Sequence, residues 1–214
     1  VAGGGDTYYA FAAASAQFDT GIPLDEAVME YVTTELKGVI GAQYAAPQGR
    51  ILMNPFKDVK TSAWYGSYVI DLYNDGIING TSATTYAPND TLTWAAALKL
   101  LLVSHGDLKA ADATGADWSK NTIAKAAELG LVAADLDGAK AISRLEFCQV
   151  AAKLNKLAES KTESKFTDCT DGYVMALVDA KVISGMTETT FEPAASLTRA
   201  QIAKILYQLT LIEK

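Results

Sequence analysis

The sequence predicts a mainly α-helical protein built from three helix–loop–helix repeats. The chain matches itself, because the aromatic residue, proline and threonine at offsets of 6, 8 and 13 from Gly80 recur at the same offsets from Gly185. One helical hairpin of about 45 residues buries little apolar surface, so we expect the three hairpins to pack around a shared centre. Apolar residues also recur at helical spacing in the second helix of two repeats, as Phe147, Val150, Ala151 and Leu154 and as Ile202, Ile205, Leu206 and Leu209.

The middle repeat is shorter than the other two but follows the same plan. Trp64 precedes Gly76 by 12 residues, and Trp118 precedes Gly130 by the same spacing. The alignment divides the chain into a tail of an upstream domain or linker, residues 1–53, followed by repeat 1 (54–108), repeat 2 (109–160) and repeat 3 (161–214).

The start of the second helix carries the most informative residues. Ser143 and Thr198 are each followed three residues later by Glu or Gln, which is the pattern of a helix capping box. Arg144 and Arg199 come directly after these caps, where a cation opposes the helix dipole at a cost of about 0.3–1 kcal/mol. Free backbone N–H groups, the dipole and a guanidinium would together suit a carboxylate ligand. A structural salt bridge or chance placement is the alternative.

Composition excludes several classes of partner. The chain of 214 residues has a formal net charge of −7, so it lacks the basic surface that nucleic acids and anionic membranes require. No apolar run reaches the roughly 20 residues of a membrane span. Cys148 and Cys169 have no metal-site spacing and are expected as buried thiols, with a disulfide between them as the alternative. We therefore expect no cofactor, no metal, no nucleic acid and no membrane insertion.

Several motifs follow one another in a fixed order. They are Phe56-Lys57-Asp58-Val59, Trp64 at the start of the first helix, Gly76-Ile77-Ile78-Asn79-Gly80, Tyr86 two residues before Pro88, and Thr198-Arg199-Ala200-Gln201. This order resembles the S-layer homology (SLH) family. The resemblance implies three repeats folded as a pseudo-threefold trimer within one chain, which we expect to be monomeric. It also implies an extracellular protein of the bacterial cell wall or surface layer, anchored by a secondary cell-wall polysaccharide that often carries pyruvylated N-acetylmannosamine.

The resemblance assigns roles to individual residues. Arg144 and Arg199, with the caps Ser143 and Thr198, match the motif whose arginine meets the pyruvate carboxylate. The remaining assignments each have a structural alternative. Trp64 and Trp118 match a tryptophan that packs on sugar rings or in the core, and Gly80 and Gly185 match glycines that allow close approach of a ligand or a simple turn.

Each repeat also departs from the family pattern. Repeat 1 has Thr93-Trp94-Ala95-Ala96, so its site is lost or altered into an aromatic platform around Trp94. Repeat 3 offers Tyr173 in place of a tryptophan, and repeat 2 has Ala134 in place of the Asn-Gly turn. One or two working grooves are therefore expected rather than three.

The first 53 residues resemble the last segment of a 5′-nucleotidase C-terminal domain. Gly4-Gly5-Asp6 is followed by Tyr8, which the resemblance makes a candidate for stacking on a nucleoside, although Thr7 replaces the usual glycine. A short α/β remnant is expected here, and a linker is the alternative. The catalytic groups of such enzymes would lie upstream, so we expect no enzymatic activity from this chain. The competing functions are a fragment of a secreted metallophosphoesterase and a self-assembling S-layer protein.

Overall fold

A computed structural model describes residues 52–212, which form six α-helices and no β-strand. The predicted mainly α-helical fold is therefore confirmed for this part of the chain. The expected α/β remnant and Tyr8 lie outside the described residues. Each repeat contributes two helices: α1 Gly66–Asn74 and α2 Trp94–His105, α3 Trp118–Glu128 and α4 Arg144–Leu154, and α5 Gly172–Asp179 and α6 Arg199–Thr210.

The second helices begin at the caps that the sequence predicts. The hydroxyl oxygens of Thr93, Ser143 and Thr198 accept hydrogen bonds from the backbone N–H three residues on, at 3.4, 3.3 and 3.3 Å. The side chains of Glu146 and Gln201 return to the cap N–H groups, which completes both predicted capping boxes. Repeat 1 keeps the hydroxyl cap without the box, because an alanine replaces the Glu or Gln.

The three repeats pack in a closed ring. The first helix of each repeat packs against the second helix of the repeat before it: α3 on α2, α5 on α4, and α1 on α6. Isolated antiparallel bridges follow the same cycle and join the residues just before the second helices. In the described part of the chain these bridges pair Thr91 with Thr198, Ala141 with Thr93, and Ser196 with Ser143. The arrangement agrees with three hairpins around a shared centre, which the repeats predict, and with the pseudo-threefold ring that the family resemblance implies.

One continuous apolar core fills the ring. The largest wholly buried side chains come from every repeat, since Tyr86, Phe147 and Phe191 belong to repeats 1, 2 and 3. Cys148 and Cys169 are free buried thiols, which agrees with the favoured prediction. Within residues 52–212, no helix has the length and apolar character needed to cross a membrane.

Candidate functional site

Arg199 joins repeat 3 to repeat 1. Its Nε donates to the Tyr86 carbonyl oxygen at 2.7 Å, and its Nη2 donates to the Asn79 carbonyl oxygen at 2.8 Å. The guanidinium carbon lies 4.5 Å from the centroid of the Tyr86 ring, and the Tyr86 hydroxyl donates back to the Arg199 carbonyl oxygen at 3.0 Å. Burial raises the pKa of Tyr86 to about 12, so this hydroxyl remains a donor at neutral pH. We call this set of contacts the Arg199 junction.

Arg144 joins repeat 2 to repeat 3 in a similar way but with fewer hydrogen bonds. Its Nη2 donates to the Ser184 carbonyl oxygen at 2.7 Å, and the guanidinium carbon lies 4.6 Å from the Phe191 ring centroid. Its Nε is buried and has no hydrogen-bond partner among residues 52–212. The side chain is only 7% exposed, and burial lowers its pKa from the ordinary value. Arg144 therefore makes fewer hydrogen bonds within the protein than Arg199, although its unpartnered Nε is too deeply buried to reach a ligand.

The backbone N–H groups at these helix starts are not free. The N–H groups of Arg144 and Arg199 donate to the carbonyl oxygens of Ala195 and Asp90, at 2.8 and 2.9 Å. The next N–H in each helix is also bonded to the neighbouring repeat, and the third is bonded to the cap hydroxyl. The prediction that free N–H groups would help to hold a carboxylate is therefore wrong, because the ring closure uses them. Any anion here must be held by side chains.

The predicted glycan-binding residues Trp64, Arg144 and Gly185 come together in one groove. The groove has a volume of about 180 Å³ and is formed by all three repeats. Lys204 places a second cation in the wall of the same groove. Trp64, on the rim, is 57% exposed. We call this site the Arg144 groove; its lining residues are Trp64, Arg144, Val182, Ile183, Ser184, Gly185, Met186, Gln201, Lys204 and Ile205.

Two features of this groove differ from what the sequence predicts. Trp64 does not open helix α1, which begins at Gly66; the indole lies in the preceding turn. Lys204 was missed, although Lys99 and Lys204 both stand 19 residues after the repeated glycines Gly80 and Gly185. That shared offset is the signal that could have identified the lysine.

At the positions that match Lys204 and Trp64, the Arg199 junction has a lysine and a tryptophan in contact with each other. Lys99 occupies the position that matches Lys204, and its Nζ lies 5.2 Å from the centroid of the Trp118 ring. Trp118 is half-buried and packs against the core, and desolvation lowers the pKa of Lys99. Trp94, the predicted aromatic platform of repeat 1, is also half-buried and packs against the core.

The two predicted glycines have a structural reason to be glycine. A Cβ on Gly80 would come within 2.6 Å of Phe56 Cε1, and one on Gly185 within 2.5 Å of Phe166 Cε1. Backbone carbonyl oxygens of the same turns lie as close. The tight turn alone therefore explains why both positions are glycine. Gly185 additionally lines the Arg144 groove.

The fold and site define a class: a ring of three helical hairpins with a cationic, aromatic groove between repeats. Comparison with known proteins shows what two of the repeats are similar to. The family model described as the S-layer homology domain matches residues 55–97 and 167–203, which lie in repeats 1 and 3. Domains of this family are binding modules that anchor proteins to the cell wall. The matches indicate a cell-surface, cell-wall-associated protein.

Three curated relatives cover most or part of the chain. An endoglucanase of Bacillus sp. (strain KSM-635) is 29% identical over 72% of this chain and 18% of its own length. The surface-layer 125 kDa protein of Lysinibacillus sphaericus is 40% identical over 36% of this chain and 7% of its own length. An amylopullulanase of Thermoanaerobacterium thermosulfurigenes is 26% identical over 78% of this chain and 10% of its own length. The chain thus spans less than a fifth of each relative.

Proposed function

We propose that residues 54–214 anchor a cell-surface protein by binding an acidic secondary cell-wall polysaccharide in the Arg144 groove. The observation that carries this proposal is the convergence of Arg144 and Lys204 beside the exposed indole of Trp64. Two cations in one groove are notable in a chain whose net charge is −7. They supply a local attraction for a carboxylate that the overall charge opposes.

The groove suits a sugar that carries a carboxylate, such as pyruvylated N-acetylmannosamine. The carboxylate accepts hydrogen bonds from the Lys204 ammonium and from the Nη N–H groups of Arg144 other than the one bonded to Ser184. The apolar face of the sugar packs on Trp64, and Met186, which is 47% exposed, covers its edge.

The other residues that the sequence predicts to bind glycan are not part of the proposed binding site. Repeat 2 is a shortened SLH repeat that supplies Arg144, and Arg199 serves mainly to hold repeats 3 and 1 together. Glycan-binding roles for Arg199, Trp118, Trp94, Ser143, Thr198 and Gly80 stay predictions.

The test is calorimetric titration with purified cell-wall polysaccharide, both native and chemically stripped of pyruvate. We expect binding to the native glycan alone. Lys204→Ala removes one charged hydrogen bond and should weaken binding by about tenfold to a hundredfold. Lys99→Ala, at the matching position beside Trp118, is the control and should leave affinity unchanged. Equal effects of the two variants, or tight binding of the stripped glycan, would contradict the proposed site.

A second candidate function is self-assembly in a surface lattice. It is favoured by the similarity to a surface-layer protein of Lysinibacillus sphaericus. Light scattering over a concentration series distinguishes the two functions, because a lattice protein grows in size with concentration while an anchoring module stays monomeric.

A 5′-nucleotidase parent stays a prediction for residues 1–53. It rests on the resemblance around Gly4-Gly5-Asp6 and Tyr8, outside the described residues. Phosphate release from nucleotides by the complete parent protein would test it.

A further inference from the structure

Aromatic side chains continue beyond the Arg144 groove along the joint between α1 and α6. Tyr68 follows Trp64 by four residues, and Tyr207 follows Lys204 by three, about 4.5 Å along the helix axis. The rings of Tyr68 and Tyr207 lie 5.2 Å apart between centroids, inclined at 50°. Both tyrosines are half-buried, and Tyr207 also packs against the core. We call Trp64, Tyr68 and Tyr207 the aromatic strip.

The two equivalent joints do not carry such a strip. On the joint of α3 with α2, the positions that match Tyr68 and Tyr207 are Thr122 and Leu102, and both are completely buried. On the joint of α5 with α4, Tyr173 matches Tyr68, but buried Ala152 stands opposite. Lys153 lies over the Tyr173 ring at 5.3 Å from its centroid. Core packing of the ring therefore does not require tyrosines at these positions.

We infer that the aromatic strip is a second subsite, which takes the neutral sugar next to the acidic one in the same glycan chain. This inference rests on the proposed function of the Arg144 groove. Tyrosine and tryptophan present a rigid apolar face with a polar edge, which suits the mixed surface of a sugar. Arg199 and Lys204 are the only basic residues of α1 and α6, and α1 carries Asp71. A second anionic sugar therefore finds no further cation on these two helices, whereas a neutral one needs none.

The aromatic strip determines a preference for the length of the glycan rather than for the acidic sugar. A single acidic sugar fills only the Arg144 groove, whereas an oligosaccharide also contacts Tyr68 and Tyr207. We expect the oligosaccharide to bind about tenfold more tightly or better, since stacking on aromatic rings adds to the affinity without a new charge pair.

The experiment compares two probes: the methyl glycoside of pyruvylated N-acetylmannosamine and an oligosaccharide prepared from the pyruvylated polysaccharide. The variant is Tyr68→Leu with Tyr207→Leu, which keeps apolar, helix-compatible side chains. We expect it to bind the monosaccharide like the wild type and to lose the additional affinity for the oligosaccharide. Tyr68→Phe with Tyr207→Phe retains both rings and should retain the gain. Tyr173→Leu is the matched control and should change neither affinity.

The outcomes separate this inference from the proposed function. If the double leucine variant, folded by circular dichroism, keeps the oligosaccharide gain, the strip is not a subsite. If it loses monosaccharide binding as well, the tyrosines belong to the acidic site and the inference is also overturned. If the double variant does not fold, Tyr207→Leu alone, which leaves α1 intact, decides in the same way. If the wild type binds neither probe, the proposed function itself fails, and this inference falls with it.

Discussion

The Arg144 groove and the Arg199 junction start from the same sequence motif and use it differently. The guanidinium of Arg199 makes two hydrogen bonds to the neighbouring repeat, whereas that of Arg144 makes one and leaves its Nε unpartnered among the described residues. The lysine and tryptophan beside Arg199 stack on each other, while Lys204 and Trp64 line an open groove beside Arg144. A repeated motif can therefore serve as a structural joint in one place and as a candidate binding site in another.

The position of Trp64 follows from the length of the chain that precedes α1. Ten residues separate Asp58 from Tyr68, whereas five separate Asp168 from Tyr173 at the matching positions of repeat 3. The five additional residues form the turn that contains Trp64 and place the indole outside the helix. Trp118, in contrast, is the first residue of α3 and is held against the core.

The largest difference between the two arginines should appear in stability. Arg199→Ala removes two charge-assisted hydrogen bonds and a cation–π contact and leaves carbonyl oxygens of repeat 1 without their donor. We expect a loss of about 2–4 kcal/mol in the free energy of unfolding. Arg144→Ala removes one such bond and the contact with Phe191, but it also removes a buried Nε that has no partner among the described residues, so it should cost about 1–2 kcal/mol. Urea denaturation of the two variants measures both values.

The loss of glycan affinity should be larger for Arg144→Ala than for Arg199→Ala, which is the opposite of the order expected for the loss of stability. Arg144→Ala should weaken glycan binding, while Arg199→Ala should leave the affinity of the folded fraction nearly unchanged. If Arg199→Ala instead lost binding without losing stability, the assignment of the two arginines would be reversed.

How much the sequence predicts depends on whether a feature is local or depends on packing. The helix caps at Ser143 and Thr198 follow from residues three positions apart, and the repeat offsets follow from direct alignment, so both were predictable. The ring closure determines which carbonyl oxygens face each guanidinium and which N–H groups are occupied. The difference between the two arginines could not be predicted, because it lies in contacts between repeats, which join residues 113 positions apart for Arg199 and Tyr86 and 40 apart for Arg144 and Ser184.

Two aspartates support the loops that receive the arginines, and they predict an effect of pH. The Asp58 carboxylate accepts hydrogen bonds from the N–H groups of Tyr86 and Ala87 at 2.9 and 2.7 Å, and Asp168 accepts from Phe191 and Glu192 at 2.8 Å each. Partial desolvation raises the pKa of Asp58, but these hydrogen bonds outweigh it and the pKa lies below the ordinary value. At Asp168 the hydrogen bonds dominate and also lower the pKa.

A carboxylate whose pKa is lower in the folded state stabilises the fold at pH values above its pKa in the unfolded state, about 4. This stabilisation is lost as the pH falls through the pKa of the folded state. Asp58→Asn should therefore reduce the free energy of unfolding by about 1–3 kcal/mol at pH 7. The difference from the wild type should shrink below about pH 4. Denaturation at a series of pH values measures this, with the exposed carboxylate variant Glu188→Gln as the control. An equal deficit at pH 7 and pH 2 would contradict the role of the charged form.

The smallest predicted effect concerns the residue that opens the loop of the Arg144 groove. Lys181 has a positive φ of 59°, where the matching residues Gly76 and Gly130 have φ values of 72° and 70°. A left-handed conformation costs a side-chain-bearing residue about 1–2 kcal/mol, while glycine loses about 0.5–1 kcal/mol more conformational entropy on folding. Lys181→Gly should therefore raise the free energy of unfolding by about 0.5–1 kcal/mol.

The matched change at the Arg199 junction should have the opposite sign. A Cβ on Gly76 would meet no atom within 4 Å, so Gly76→Ala is destabilising through its backbone alone, by about 1 kcal/mol. Urea denaturation of both variants gives the comparison, and glycan titration of Lys181→Gly shows whether the loop of residues 182–186 keeps its shape. A stabilised variant with unchanged affinity would mean that strain before this loop has no part in binding. A stabilised variant with weaker binding would mean that the strained lysine helps to hold the Arg144 groove open, a difference between the two sites that their hydrogen bonds alone do not explain.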